Sequence, residues 1–304
     1  MPDHVHVHIH RLGPEHAQPA FCPETPPALT IAPGETVVFE TSAAPIEALF
    51  AAGERWVEVH DVTALNVVTG PVAINGVEPG DAVTVEILAV EPGPWGWSAS
   101  VPGFGPVSDR LPPLLRRLPI RDGHVELSPR LRVPLAPMIG CLGLAPARGT
   151  TSTLSPPDPW GGNYDLVQAR PGSTLLFPAQ VPGGLFSLGD LHAAMGANEG
   201  TSVAIECPGA ATVRLGVRTG LRLATPRIET ADRVTTVGLQ PRGRFLDARQ
   251  QALGAMWDLL VVEAGCTPEE AYGLLSAAVD VELGGPAGMV VLASVPRSLL
   301  PALR

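Results

Sequence analysis

The chain of 304 residues is 45% apolar and carries a net charge of −10, so it can bury a full core unaided and presents no cationic surface for nucleic acid. All 20 basic residues are arginines, which excludes the lysine-dependent chemistries: phosphate-loop nucleotide hydrolysis, pyridoxal aldimines, and the Ser-Ser-Lys and Cys-Glu-Lys amidase triads. Neither a nucleotide nor a pyridoxal cofactor is therefore expected. The 33 glycines and 34 prolines exceed the roughly 12% that these types usually supply, which points to short strands joined by tight turns. No apolar run approaches the ~20 residues that cross a bilayer, and the N-terminus lacks the character of a signal segment, so a soluble cytoplasmic protein without a membrane partner is expected. The four cysteines Cys22, Cys141, Cys207 and Cys266 form no C-x-x-C pair and read as packed thiols.

Residues 1–11 alternate His4, His6, His8 and His10 with apolar residues, a period of two that puts every imidazole on one face of a strand. That face could bind a metal or simply be a solvated edge. Residues 28–41 read as two short strands around Pro33-Gly34, and residues 72–90 as a hairpin around Pro79-Gly80-Asp81. Trp95, Trp97 and Phe104 read as loop aromatics over the core. Further strands are expected at 124–127, 131–133, 173–177, 201–206, 211–217, 233–239 and 288–294. The helical signal is confined to residues 246–264, which end at Gly265, and to a helix after Thr267-Pro268-Glu269-Glu270, where a capping threonine, an N1 proline and an N3 glutamate stand in order. The pattern predicts a mainly-β or α+β fold, sandwich or jelly-roll-like, with a small C-terminal helical portion. It predicts a single domain over 1–304, with a sub-boundary near 150 between an N-terminal β part and a second β part that carries the helices.

Polar residues in glycine-rich loops are the candidates for chemistry. Asp190 and His192 are two apart, so an extended segment places both on one side, where they could share a metal or a proton; Glu199 follows the Gly196 turn, and Glu206 ends a strand-like run. An imidazole with two carboxylates is the minimum for hydrolysis, one group activating water or orienting a metal while another protonates the leaving nitrogen. Buried structural polar groups would produce the same pattern.

Four motifs in order, G-P-V-A-I-N-G-V-E-P-G-D-A-V-T-V-E-I-L at 70–88, P-M-I-G-C-L-G-L-A-P at 137–146, G-G-N-Y-D at 161–165 and V-P-G-G-L-F-S-L-G-D-L-H-A-A-M-G at 181–196, resemble the acetamidase/formamidase family over nearly the whole chain. The resemblance implies hydrolysis of a short-chain or cyclic amide to a carboxylate and ammonia or an amine. It also implies a small amide as partner, a homo-oligomer such as a homodimer, and a divalent metal, zinc ahead of calcium. On this reading Glu199, Asp190, His192 and Asn163 are catalytic, with Asn163 donating to the oxyanion. Asp165, Gly162 and Phe186 contact the substrate, and Asp190, His192 and Glu206 hold the metal. The chain departs from the family pattern at Ala43 and Ala197, where relatives carry carboxylates. A rival expectation is thus a relative that has lost catalysis and kept a binding or structural role.

Overall fold

The structure, a computed structural model, describes residues 9–59, 61–241 and 243–300. Two large sheets dominate it, in line with the mainly-β expectation. The nine-stranded sheet is organised by Ala82–Pro92, which pairs antiparallel with Gly209–Arg218 on one side and Thr174–Pro178 on the other. The eleven-stranded sheet is organised by Phe186–Ala194, which pairs with Met138–Gly143, with Val68–Ile74 and with the short strand Ile205–Glu206. Buried Val, Leu, Ile and Phe side chains of both sheets form one apolar cluster, bridged by the edge-on rings of Phe39 and Phe186 at 5.7 Å. Burial of this kind is worth about 25 cal/mol per Å² and is the main force holding the sandwich.

Neither expected hairpin exists. Leu29–Ile31 pairs parallel with Val68–Ile74 in the eleven-stranded sheet, whereas Thr36–Glu40 joins the nine-stranded one. Val68–Ile74 and Ala82–Pro92 likewise belong to different sheets. The Pro-Gly turns between them are therefore crossings from one layer to the other. Local turn chemistry specifies a reversal, but which strand is met afterwards is decided by long-range burial. The strand expected at 201–206 is reduced to Ile205–Glu206.

Ile9–Leu12 pairs parallel with Thr36–Glu40, and His10 Nε2 lies 3.1 Å from Glu35 Oε2 across that pair. The remaining histidines of the expected metal face, His4, His6 and His8, lie outside the described residues, as does His60.

The C-terminal helices Phe245–Asp258 and Pro268–Ala277, with a π-turn at Leu259–Glu263, cover the strands Arg233–Gln240 and Met289–Pro296. Their approach is close. A Cβ at Gly238 would lie 1.9 Å from the Ala248 carbonyl oxygen, so glycine alone fits there. The anticipated capping box is present: Thr267 Oγ1 accepts from Glu270 N–H at 3.2 Å, and Glu270 Oε2 accepts from Thr267 N–H at 2.8 Å. Thr267→Ala is expected to lower stability by about 1 kcal/mol, read as a shift of the denaturation midpoint at unchanged slope.

A second helical region escaped the sequence pattern. Ala44–Ala52, Trp56–Val59 and Val62–Leu65 form a broken helical segment. It has a small core of its own, in which Ile46, Leu49 and Trp56 pack with Trp95 and Trp97 of the strand Trp95–Ser100. Arg117 clamps this segment to the sheet, pairing with Glu47 and lying 3.9 Å above the Trp95 ring and 4.6 Å above that of Phe50.

Candidate active site

Strand register brings the chemistry together. Within the eleven-stranded sheet Cys141 stands opposite both Asn163 and Gly189, while His192 stands opposite Met138 on one side and Glu206 on the other. Glu206 in turn stands opposite Trp97. Directly opposed residues have Cβ atoms about 5 Å apart, so the ladder alone sets His192 beside Glu206, and Glu206 in turn beside Trp97.

The backbone then departs from a regular pleat where the carboxylates sit. Asp165, Asp190 and Glu199 have φ of 45°, 57° and 40°, a left-handed conformation that is uncommon for side-chain-bearing residues. Ser202, at 59°, closes the loop that carries Glu199. Such conformations persist only where the surroundings over-determine them, and they gather at functional sites. The Glu199 loop is anchored by Asn198, whose Nδ2 donates to the Gly284 carbonyl at 2.6 Å.

The result is a cluster of four carboxylates, three buried and Asp190 half-buried, around one imidazole. His192 is 1% exposed, and its Nε2 lies 3.1 Å from Glu206 Oε2, 3.5 Å from Asp190 Oδ1 and 4.0 Å from Asp165 Oδ1. Its Nδ1 contacts Met195 Sδ at 3.3 Å. Glu206 Oε1 accepts from Ala204 N–H at 3.0 Å, which fixes its other oxygen toward His192. The floor is Gly140. A Cβ there would fall 2.5 Å from Asp190 Oδ2 and 2.8 Å from both Asp165 Oδ1 and His192 Nε2, so the donor atoms close over a space that only a glycine leaves free.

Crowding of like charge away from water shows in the titration of these groups. Burial, then the charges of Asp165 and Glu206, push the Glu199 carboxyl up to about 9. Burial and the Asp190 carboxylate raise Asp165 well above the carboxylate range, and burial raises Glu206 despite the His192 charge. Burial opposes charge on His192, but Glu206 and Asp190 together hold its pKa well above the usual value. Cys141 and Cys207 are raised by burial, so both are packed thiols, as expected.

Two triads, Asp165 with Asp190 and His192, and His192 with Glu199 and Glu206, each bring their donor atoms within 4.8 Å of one another and could hold a metal ion. The donor set of one imidazole and several carboxylates, converging over the Gly140 space, fits a divalent cation.

The cluster opens into a cleft of about 740 Å³, counting the part open to solvent. Asn163, Asp165, Asp190, Glu199 and Glu206 line its polar end. Asn163 Nδ2 donates to Asp165 Oδ2 at 3.1 Å and its Oδ1 accepts from Asn66 Nδ2 at 3.2 Å. Asn66 also lines the cleft, and its own Oδ1 is buried with no hydrogen-bond partner among the described residues.

Several expectations are corrected. Phe186 does not reach the cleft; it is fully buried in the inter-sheet core, where it packs on Phe39. Gly162 is absent from the cleft wall and faces Pro157, within 3.0 Å of a would-be Cβ. Trp97 lies on a strand rather than a loop, and Trp97 and Phe104 line the cleft instead of merely covering the core. Ala197 is exposed on its turn. Ala43 caps the helix Ala44–Ala52 beside a second, smaller cavity that Ser42, Pro45, Asp190 and Glu206 line. Sequence reasoning also missed Gly140 and Asn66. Both lie within or beside the motifs at 137–146 and 70–88, but as residues without charge they carry no signal of their own.

A sequence model of the Acetamidase/Formamidase family matches residues 13–155 and 149–299. Among solved structures, a predicted acetamidase/formamidase from the thermophile Thermoanaerobacter tengcongensis is 26% identical, with a TM-score of 0.89 over 97% of both chains. The acetamidase from Bacillus halodurans is 30% identical, with a TM-score of 0.86 over 96% of this chain and 99% of that one. A formamidase of Methylophilus methylotrophus is 25% identical over 214 residues, 52% of this chain and 53% of the relative. The chain thus spans about half the length of the curated relatives it matches.

Proposed function

Because the chain belongs to the acetamidase/formamidase family, we propose that it hydrolyses a carboxylic amide to the carboxylate and ammonia or an amine at the His192 cluster. The observation that carries this reading is the convergence of Asp165, Asp190, Glu199 and Glu206 on one imidazole at the end of a cleft that two asparagines also line. It supports catalysis over a degraded, purely binding role, since the departures at Ala43 and Ala197 leave the buried Asp165, Glu199 and Glu206 and the half-buried Asp190 in place.

We assign the cation as zinc, held by His192, which both triads share, with Asp190 from one and Glu206 from the other, 3.5 and 3.1 Å from its Nε2, because an imidazole nitrogen among the donors disfavours the all-oxygen shell of calcium. Bound there, zinc would offset the carboxylate charge and supply Lewis acidity to the substrate carbonyl. The chain's own groups do the rest. Water adds to the carbonyl carbon as the C–N bond breaks, and Glu199 takes the water's proton and returns it to the leaving nitrogen. Asn163 Nδ2 has a second N–H beyond the one it donates to Asp165, and that N–H donates to the oxygen on which charge develops. The Met195 contact on Nδ1 of His192 steadies the ring so that Nε2 faces the carboxylates.

The test is product release from formamide, acetamide, propionamide and a γ-lactam, measured as ammonia or as ring opening. Turnover is expected to vanish on chelation and to return with zinc but not with calcium. Silence across the panel in the zinc-loaded protein would refute the reading.

A further inference from the structure

Resting on that amide-hydrolase reading, the geometry points to a substrate class: a neutral primary amide whose acyl group carries an aryl or branched aliphatic substituent of the size of phenylacetamide. Three observations carry this. First, the cleft extends beyond the groups that react. Formamide has three heavy atoms and acetamide four, whereas the cleft wall continues past the carboxylate cluster along Leu49, Trp56, Phe104 and Leu115 into a part open to solvent, so a longer acyl group has a surface to lie on. Second, its chemistry divides in two. The polar end is the carboxylate cluster with Asn66 and Asn163, and the other end is walled by Leu49, Trp56, Leu65, Trp97, Phe104 and Leu115. Among the described lining residues, the four cluster carboxylates are the only charged side chains, so the apolar end holds no charge to pair with a cationic substituent lying along it. The same carboxylates repel an anionic one, which leaves a neutral apolar group as the occupant.

Third, the apolar end is built by a dedicated part of the chain. Leu49, Trp56 and Leu65 come from the helical segment that packs in its own small cluster against Trp95 and Trp97, outside the inter-sheet core. Arg117, paired with Glu47 and stacked on Phe50 and Trp95, holds that segment against the sheet from behind. The wall is therefore preformed, and an acyl group entering it displaces water from apolar surface without having to order the protein first.

The experiment compares kcat/KM of the zinc-loaded enzyme for phenylacetamide and acetamide. Binding of phenylacetamide is followed in parallel by quenching of the tryptophan fluorescence. A preference of at least tenfold for phenylacetamide is expected, carried mainly by KM. Leu115→Gln, which puts an amide on the apolar wall, is expected to reverse the order of the two substrates. Equal turnover or a preference for acetamide would overturn this inference and leave the amidase reading standing. Saturable quenching by phenylacetamide without turnover of either amide would support the apolar occupant and refute the amidase reading. Neither quenching nor turnover would overturn both.

Discussion

Gly140→Ala is expected to cost at least a hundredfold in kcat/KM while leaving the sheets intact. The added methyl would stand 2.5 Å from Asp190 Oδ2 and 2.8 Å from Asp165 Oδ1 and His192 Nε2, well inside van der Waals contact. None of these groups can yield freely. The two aspartates are short side chains on left-handed backbone, and the imidazole is wholly buried between strands. The clash therefore spreads the donor atoms, and a displacement of about 1 Å is enough to lose a hundredfold in rate. Overpacking of this kind costs about 1–3 kcal/mol, which a protein of this size withstands. Circular dichroism and the denaturation midpoint report the fold, while steady-state rates and zinc affinity report the site. Both rate and affinity are expected to fall together, and an alanine variant with unimpaired turnover would show that the cluster over Gly140 is not where the chemistry occurs.

Glu199→Gln is the second large effect, with two independent signatures. Turnover should fall by ~10²–10⁴, the range expected on removing a general acid or base. Stability should change in the opposite sense. In the metal-free protein the folded Glu199 carboxyl titrates at about 9, against 4.5 for an unstrained glutamate. The folded state thus holds a proton that the unfolded chain has released, and stability must fall as pH rises between those values. The raised pKa values of Asp165, Glu206 and His192 act in the same direction. Thermal melts in chelator from pH 5 to pH 9 are expected to show a falling midpoint, and the glutamine variant a shallower fall. At pH 8 it should be more stable relative to wild type than at pH 5. Parallel profiles would show that Glu199 is ionised in the folded state and would remove the proton from its carboxyl.

Much of the site could be read from the chain because its chemistry is carried by charge. Asp190 and His192 at a spacing of two, Glu199 after a glycine turn and Glu206 in a strand are visible one residue at a time. The register His192↔Glu206↔Trp97 is not, since it arises only when three segments of distant sequence pair. Taken alone, Trp97 accordingly reads as a cover for the core. Phe186 failed for a related reason. Strict alternation puts it on the face of Asp190 and His192, but the left-handed Asp190 and the register shift between Phe186 and Leu188 break the pleat, and the ring turns into the core. The strands and the Thr267 helix start follow from local propensity, which a sequence states outright. The false hairpins at Pro33-Gly34 and Pro79-Gly80 show the limit of that logic, because a turn fixes a change of direction and not the sheet that receives the next strand. The helical segment over residues 44–65 was hidden by its breaks at Gly53 and after Val59, which leave no stretch long enough to display a helical period.

The central claim is that the buried carboxylates around His192 are a cation site, neutralised by protons until a metal replaces them. Calorimetric titration of the metal-free protein with zinc at pH 7, repeated in buffers of different ionisation enthalpy, counts those protons directly. Saturable binding of one ion per chain is expected, with more than one proton released, and with both lost in Gly140→Ala. Absence of saturable binding, or binding that releases no protons and is unchanged by Gly140→Ala, would contradict the account.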